Sequence, residues 1–246
     1  MQPPATTLRL ILGDQLNPLH SWFAQPLPHA VVVLMEVRQE TDYVRHHAQK
    51  VLGIFAAMRQ LAQHLQSQGH RVHYIAIDDP ANTHHIPRNL EHLAQHYQAQ
   101  HIQYQAPDEY RLDAQLQTWA QESALHIECV DTEHFLTTRT DLAQHFKGKK
   151  QWLMESFYRA MRKRLNVLMQ ANGQPVGDQW NFDADNRKPY KGTPPPPVAA
   201  RPPQDLSAVW ATIQAAGINT FGNAQATQFV WPVSYTHLRA HETGRN

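Results

Sequence analysis

Apolar runs rich in β-branched residues alternate with stretches of helical period through the first 130 residues, and this alternation constrains the fold more than any other feature. LRLILG (8–13) and AVVVLMEV (30–37) read as strands buried on both sides. From about Thr41 to Gln68, the positions Val44, Val51, Phe55, Met58, Ala62 and Leu65 repeat at spacings of three, four and seven. They mark one stripe of a long helix that Gly69 can end. A strand RVHYIAI (71–77) follows, then a helix near 88–99, a strand HIQYQ (101–105), a helix near 111–122 and a strand LHIECV (125–130). The predicted class is α/β: a Rossmann-like parallel five-stranded sheet with helices on both faces, joined by right-handed crossovers.

In such sheets ligands bind beyond the carboxyl ends of the strands, where the strand order reverses. Asp14, the first side chain past Gly13, sits at that edge, and the same edge should collect Glu36 to Tyr43 and the segment APDEYR (106–111). Asp14, Glu40 and Glu109 would then face one pocket with Tyr43 and modest positive charge. No G-x-G-x-x-G or G-x-x-x-x-G-K-[ST] segment exists to cradle a phosphate. A neutral, flat heterocycle whose N–H and hydroxyl groups want acceptors suits such a lining better than a pyrophosphate. Caps of turns and helices are the competing reading for Asp14 and Glu40. His46, placed one turn after Tyr43 on the long helix, is a ligand contact in this scheme. His92 and His96 share a helix face, but no third metal ligand lies near them.

The formal charge of +1 conceals a division: residues 1–146 carry nine Lys/Arg against fifteen Asp/Glu, and residues 147–191 ten against four. The basic segment opens with QWLMESFYRAMRKRLNVLM (151–169), a helix with an apolar stripe from Leu153 to Met169 that suits packing against a helical mass. It continues as NGQPVGDQWNFDADNRKPYKG (172–192), long and without period, hence a functional-loop candidate. Trp180, Phe182 and Tyr190 could anchor that loop while Arg187, Lys188 and Lys191 reach phosphates. Asp183 and Asp185 could orient those cations or share a divalent ion. An interdomain linker fastened by its aromatics is the alternative.

LRLILGDQLNP, EVRQETDYVRHHAQKV, FAAMRQLAQHLQSQGHRVHYIAIDD, MESFYRAMRKR and GDQWNFDADNR, in that order, resemble the photolyase-related bacterial proteins that carry an iron–sulfur cluster, the prokaryotic (6-4) photolyase and cryptochrome group. The resemblance runs from about Leu8 to Pro232. It implies an α/β domain holding a 6,7-dimethyl-8-ribityllumazine antenna, a loop near DNA, and an all-α domain holding FAD and a 4Fe–4S cluster. In that group light-excited reduced flavin donates an electron to a (6-4) pyrimidine lesion. The antenna positions it implies here are Asp14, Met35, Glu40, Tyr43, His46 and Glu109, with Met35 packing on the ring. It further implies Arg187 as a DNA-phosphate or lesion-side contact and Asp183 as a Mg²⁺ ligand; Lys188 and Lys163, in the same basic segment, are the other expected DNA contacts.

The expected organisation is an antenna-binding domain at 1–135, a connecting helix and loop at 136–204, the start of a helical flavin domain at 205–232, and a tail at 233–246. That tail, VSYTHLRAHETGRN, has no counterpart in the group and reads as adapter-derived sequence. A single cysteine, Cys129, excludes a disulfide framework, a cysteine-rich zinc site and a four-thiolate cluster built from this chain alone. With no apolar run near the roughly 20 residues that span a bilayer, the expectation is a cytoplasmic protein with no membrane partner. It would be a fragment of a light-driven repair enzyme, inactive by itself because the electron donor is missing. A non-repair cryptochrome photoreceptor, or a nucleotide-binding α/β enzyme, are the alternatives.

Overall fold

The computed structural model describes residues 7–183, 187, 189–195 and 203–233. They fall into two compact units, one made of the residues up to His134 together with those from 203 on, the other beginning at Phe135. The Lys188 and Asp185 of the loop and the tail beyond Val233 lie outside the described residues.

In the first unit five strands form a parallel sheet: β1 (Thr7–Ile11), β2 (Ala30–Met35), β4 (Val72–Ile75), β5 (His101–Gln105) and β6 (His126–Val130), ordered β4-β2-β1-β5-β6. Leu8 lies opposite Val31 on one side and Ile102 on the other. The chain steps outward from β1 to β4, then crosses back to lay β5 against the other side of β1. The order therefore reverses between β1 and β5, and a crevice opens there.

Both faces of the sheet are covered, which is why β2 reads AVVVLM and is buried throughout. On one face Ile11, Val32 and Leu34 meet α2 (Ala48–Ser67) through Val51, Leu52, Phe55, Met58 and Leu65. On the other, Leu8, Leu10, Val31 and Val33 meet α3 (Ile86–Tyr97) and α4 (Tyr110–Glu122) through Leu90, Leu93, Leu116 and Trp119. Each such side chain contributes roughly 1.5–3 kcal/mol when fully buried, against about 0–1 kcal/mol for an exposed ion pair. The apolar stripes therefore fix where the helices lie.

The long helix starts later than its periodicity predicts. Arg38–Thr41 forms the short α1, and His46–His47 is a strand, β3, paired in parallel with β7 (Thr220–Phe221). Helix α2 begins only at Ala48, where the His47 side chain accepts from the Gln49 amide at 3.1 Å. His46 is thus on β3 and not on the helix, and Val44, counted into the stripe, is exposed. Long-range pairing with β7 overrode local helical period. Residues 205–232, expected to open a helical domain, include α7 (Ser207–Ala215), whose Ile213 is buried in the α2 core together with Phe229.

Glu36, at the exit of β2, is fully buried and fully paired. It accepts from Arg59 Nε at 2.7 Å and Nη2 at 3.0 Å, from the Tyr74 hydroxyl at 2.6 Å and from the Ile77 amide at 2.9 Å. One carboxylate so ties β2, α2 and the end of β4. The hydrogen bonds from Arg59 to Glu36 raise the guanidinium's pKa, while burial and the Glu36 charge raise that of Tyr74.

The second unit is built on α5 (Asp141–Phe146) and α6 (Met154–Leu165). Phe146 is its buried centre, with the rings of Trp152 and Phe157 around it. Helix α6 is shorter than the predicted 151–169 because Asn166 takes a left-handed conformation at φ 53°. The buried Arg162 then satisfies the carbonyls of Val167 and Leu168. Leu153, Met154, Leu165 and Leu168 of the predicted stripe are exposed.

Removing Arg59 would leave Glu36 charged without its principal partner. Arg59→Met is expected to cost about 3 kcal/mol, read as a lower urea midpoint with an unchanged slope. A loss below about 1 kcal/mol would show that the ion pair is replaceable.

Candidate ligand-binding site

The crevice at the strand reversal is a cavity of about 240 Å³. Gly13 forms its floor because α2 crosses close above the exit of β1: a Cβ there would stand 2.8 Å from Ile54 Cγ2. The buried Gln15 fastens the two strand exits, donating to the Gln105 carbonyl at 3.1 Å and accepting from the Leu12 amide at 3.1 Å. The apolar walls are Leu12, Met35 and Val37 from the sheet side, and Val51, Ile54, Phe55 and Met58 from α2.

All six side chains singled out for the antenna line this one cavity: Asp14, Met35, Glu40, Tyr43, His46 and Glu109. Their states differ from one another. Glu109 is the N-cap of α4, accepting from the amides of Arg111 and Leu112 at 2.9 Å each. Glu40 is held by Arg111, whose Nη2 reaches Oε1 at 3.1 Å and Oε2 at 3.2 Å, and that guanidinium also lies 3.3 Å from Glu109 and stacks on the Tyr43 ring. Burial lowers the pKa of Arg111, but the Glu40 hydrogen bonds and the charges of Glu40 and Glu109 outweigh it and leave a net rise. Glu109 is therefore a helix cap, a role weighed from the sequence only for Asp14 and Glu40, and two of the three carboxylates are already matched by a cation.

Asp14 is different. Solvent reaches it, yet desolvation against its surroundings raises its pKa, opposed by its own backbone hydrogen bond and reinforced by the charge of Asp108. His46 is buried, with Nδ1 3.3 Å from Lys50 Nζ and its ring edge-on to Tyr43. Burial first, then Lys50, lower its pKa, against a pull from Glu40. Its Nε2 is buried and has no hydrogen-bond partner among the described residues. Met35 is steadied by the Asn89 amide, which approaches its sulfur at 3.6 Å.

Lys50, Ile54, Phe55 and Met58 are lining residues that were not singled out as ligand contacts. The signal for Ile54 was present, since it is three residues after Val51 and four before Met58. Beside the cavity lies a shallow groove of about 490 Å³ that shares Gly13, Lys50 and Ile54 with it and runs on to His47, Phe229 and Trp231.

In the second unit Trp180 does anchor the loop, lying under Arg159, Arg162 and Lys163 at 5.2–5.5 Å. Arg187 and Asp183 are exposed and joined backbone to backbone. Among the described residues no three His, Cys, Asp or Glu side chains gather as a metal site, and no helix is long and apolar enough to cross a membrane.

An apolar crevice with a few convergent polar groups thus lies at the reversal point of the parallel sheet of an α/β domain. The chain belongs to the deoxyribodipyrimidine photo-lyase-related protein family, whose profile matches residues 9–229. It is 33% identical over 222 residues to a (6-4) photolyase of Agrobacterium fabrum, covering 89% of this chain and 43% of that protein. The chain thus spans less than half the length of that relative. An uncharacterized protein of Acanthamoeba polyphaga mimivirus is 24% identical over 151 residues, covering 59% of this chain and 74% of that one. A solved bacterial class III photolyase from Agrobacterium tumefaciens aligns with a TM-score of 0.44 at 15% identity, covering 66% of this chain and 32% of that one.

The raised pKa of Asp14 has a thermodynamic consequence. The folded state takes up this proton more readily than the unfolded chain, so the contribution of Asp14 to stability is fullest below the ordinary carboxylate range and is lost as pH rises through its raised pKa. Asp14→Asn should therefore raise the melting temperature relative to wild type at pH 8 and leave it nearly unchanged at pH 4. A lowered melting temperature at pH 8 would contradict this.

Proposed function

We propose that the chain is the antenna-binding part of a light-driven DNA photolyase or cryptochrome-like flavoprotein, and that its cavity holds 6,7-dimethyl-8-ribityllumazine. The observation that carries the reading is the cavity itself: apolar walls with acceptors at Asp14 and Glu40. At about 240 Å³ it lies just under the range of roughly 300–1,000 Å³ usual for ligand sites. That suits a bicyclic ring inside and a polyol chain lying out toward the adjoining groove. Asp14, Glu40, Tyr43 and His46 would bind the ring and ribityl groups, and Met35 would pack on the ring. Met35, Phe55 and Met58 would keep water from it. The pigment, when bound, absorbs light and passes the excitation on.

Membership of the photo-lyase-related family supports the wider reading, in which reduced FAD receives that energy and donates an electron to a (6-4) pyrimidine lesion in DNA. FAD and a 4Fe–4S cluster would be held by regions of the protein without counterpart in this chain, whose one cysteine cannot supply four thiolates. A Mg²⁺ ion at Asp183 remains part of the proposal. A photoreceptor of the same family would use the same cavity. For DNA the supporting feature is the cationic surface of α6, where Lys163 and Arg159 flank Trp180, with Arg187 on the segment that follows; Lys188, next in sequence, is outside the described residues.

Two measurements test this. Titration of the folded chain with the lumazine, followed by absorbance, should give saturable one-to-one binding and a shifted band; a flat titration would remove the antenna reading. Binding to duplex DNA should weaken linearly in log–log form with salt, and Lys163→Ala or Arg187→Ala should each reduce that slope by about 1 without changing sequence preference. Slopes equal to wild type would exclude phosphate contacts at these positions.

A further inference from the structure

One wall of the cavity is the stretch 38–47, which has little packing of its own: Asp42, Tyr43, Val44 and Arg45 are all exposed. Both of its ends are tied to residues far along the chain. At the start, Arg38 donates to the carbonyl of Ala216, just past α7. At the end, His46 and His47 pair with Thr220 and Phe221, and β3 has no other sheet partner among the described residues. The Phe221 ring meets His47 edge-on at 5.2 Å and lies under Arg45 at 5.8 Å. A ladder of two residues does not persist by itself. Its order must come from whatever holds β7.

What holds β7 is the seating of residues 203–233 on α2. Ile213 and Ile218 are buried in the α2 core, and the Phe229 ring lies over Gly53, where a Cβ would stand 3.2 Å away. The segment also closes on itself, since Gln204 and Phe229 exchange backbone hydrogen bonds at 2.9 Å each. Gly222 makes the nearest approach to the site, with φ 75° and a position where a Cβ would stand 2.2 Å from His47 Nε2. That ring also starts α2 by accepting from the Gln49 amide at 3.1 Å. We propose that residues 203–233 are a positioning strap: seated on α2, they set the cavity wall at 38–47, and their seating is coupled to occupancy of the cavity. Gly222 and Ile213 are its positioning residues, and neither lines the cavity. The inference rests on the antenna reading for its ligand and deepens it by naming what controls the site. Coupling of this kind is reciprocal, so a ligand that needs the wall in place must in turn hold the strap down.

The test uses the full chain and two readouts, amide hydrogen exchange and titration with 6,7-dimethyl-8-ribityllumazine followed by absorbance. Gly222→Ala pushes a methyl group into the His47 ring, and Ile213→Val loosens the strap at its buried anchor with a small loss of volume. Leu93→Ala is the comparison, because Leu93 is buried against the opposite face of the sheet and touches neither strap nor cavity wall. Without ligand, both strap variants should speed exchange in β3 and the first turn of α2 by about tenfold relative to β1 and β2. Both should weaken lumazine binding by about tenfold. Leu93→Ala should lower overall stability while leaving affinity within about twofold of wild type. In wild type, saturating lumazine should slow exchange in α7 and β7 by at least the factor that the strap variants lose in affinity, beyond any slowing seen in β5 and β6.

Unchanged exchange in β3 and the start of α2 in both strap variants would overturn the inference. So would wild-type affinity in variants whose strap exchanges faster, or an equal loss of affinity in Leu93→Ala, which would make the strap a part of general stability only. Faster exchange at β3 in the strap variants, with no lumazine bound by wild type, would keep the positioning role and defeat the choice of pigment.

Discussion

Two elements that wall the cavity, β2 and α2, are joined to each other and to β4 by one buried carboxylate. Glu36 follows Met35 at the end of β2, its partner Arg59 follows Met58 on α2, and its further donors, Tyr74 and Ile77, belong to the end of β4. Met35 and Met58 both line the crevice, so the network sets the distance between the sheet floor and the helical roof. A buried charge is expensive unless every lone pair is used, and here they are. Rigidity at this depth leaves the polar groups nearer the opening to be arranged for a ligand.

Those groups are arranged by pairing as much as by position. Arg111 matches both Glu40 and Glu109, which leaves Asp14 as the carboxylate with a raised pKa. The expectation of a lining rich in acceptors is therefore modified: the cavity offers acceptors at Asp14 and Glu40 and a donor at Lys50. A flat, uncharged ring with both kinds of edge suits that pattern, whereas a phosphate would find Lys50 but no glycine-rich turn of backbone amides.

Much of this was legible because it follows from periodicity. Five parallel strands, their order of appearance and the helices between them follow from runs such as AVVVLM and from the stripe of Val51, Phe55, Met58, Ala62 and Leu65. Asp14 and Glu109 could be placed at the crevice because each lies just past a strand. What local pattern could not supply was tertiary pairing. The two residues of β3 look helical beside α2 and become a strand only because β7 meets them from residue 220. Arg111 was visible within APDEYR, but that it would brace two acids and cover Tyr43 depends on α1 and α4 meeting in space. Residues 205–232 likewise read as a separate beginning, since nothing local reveals that Phe229 packs against Gly53 of α2.

On the proposed reading the cavity would hold an uncharged, flat ring. A crystal structure of the chain grown with 6,7-dimethyl-8-ribityllumazine tests this most directly. The expected result is a flat bicycle between Tyr43 and Met58, with a polyol chain leaving past Lys50. A nucleotide di- or triphosphate retained at the exit of β1, or density for the pigment anywhere else, would contradict it.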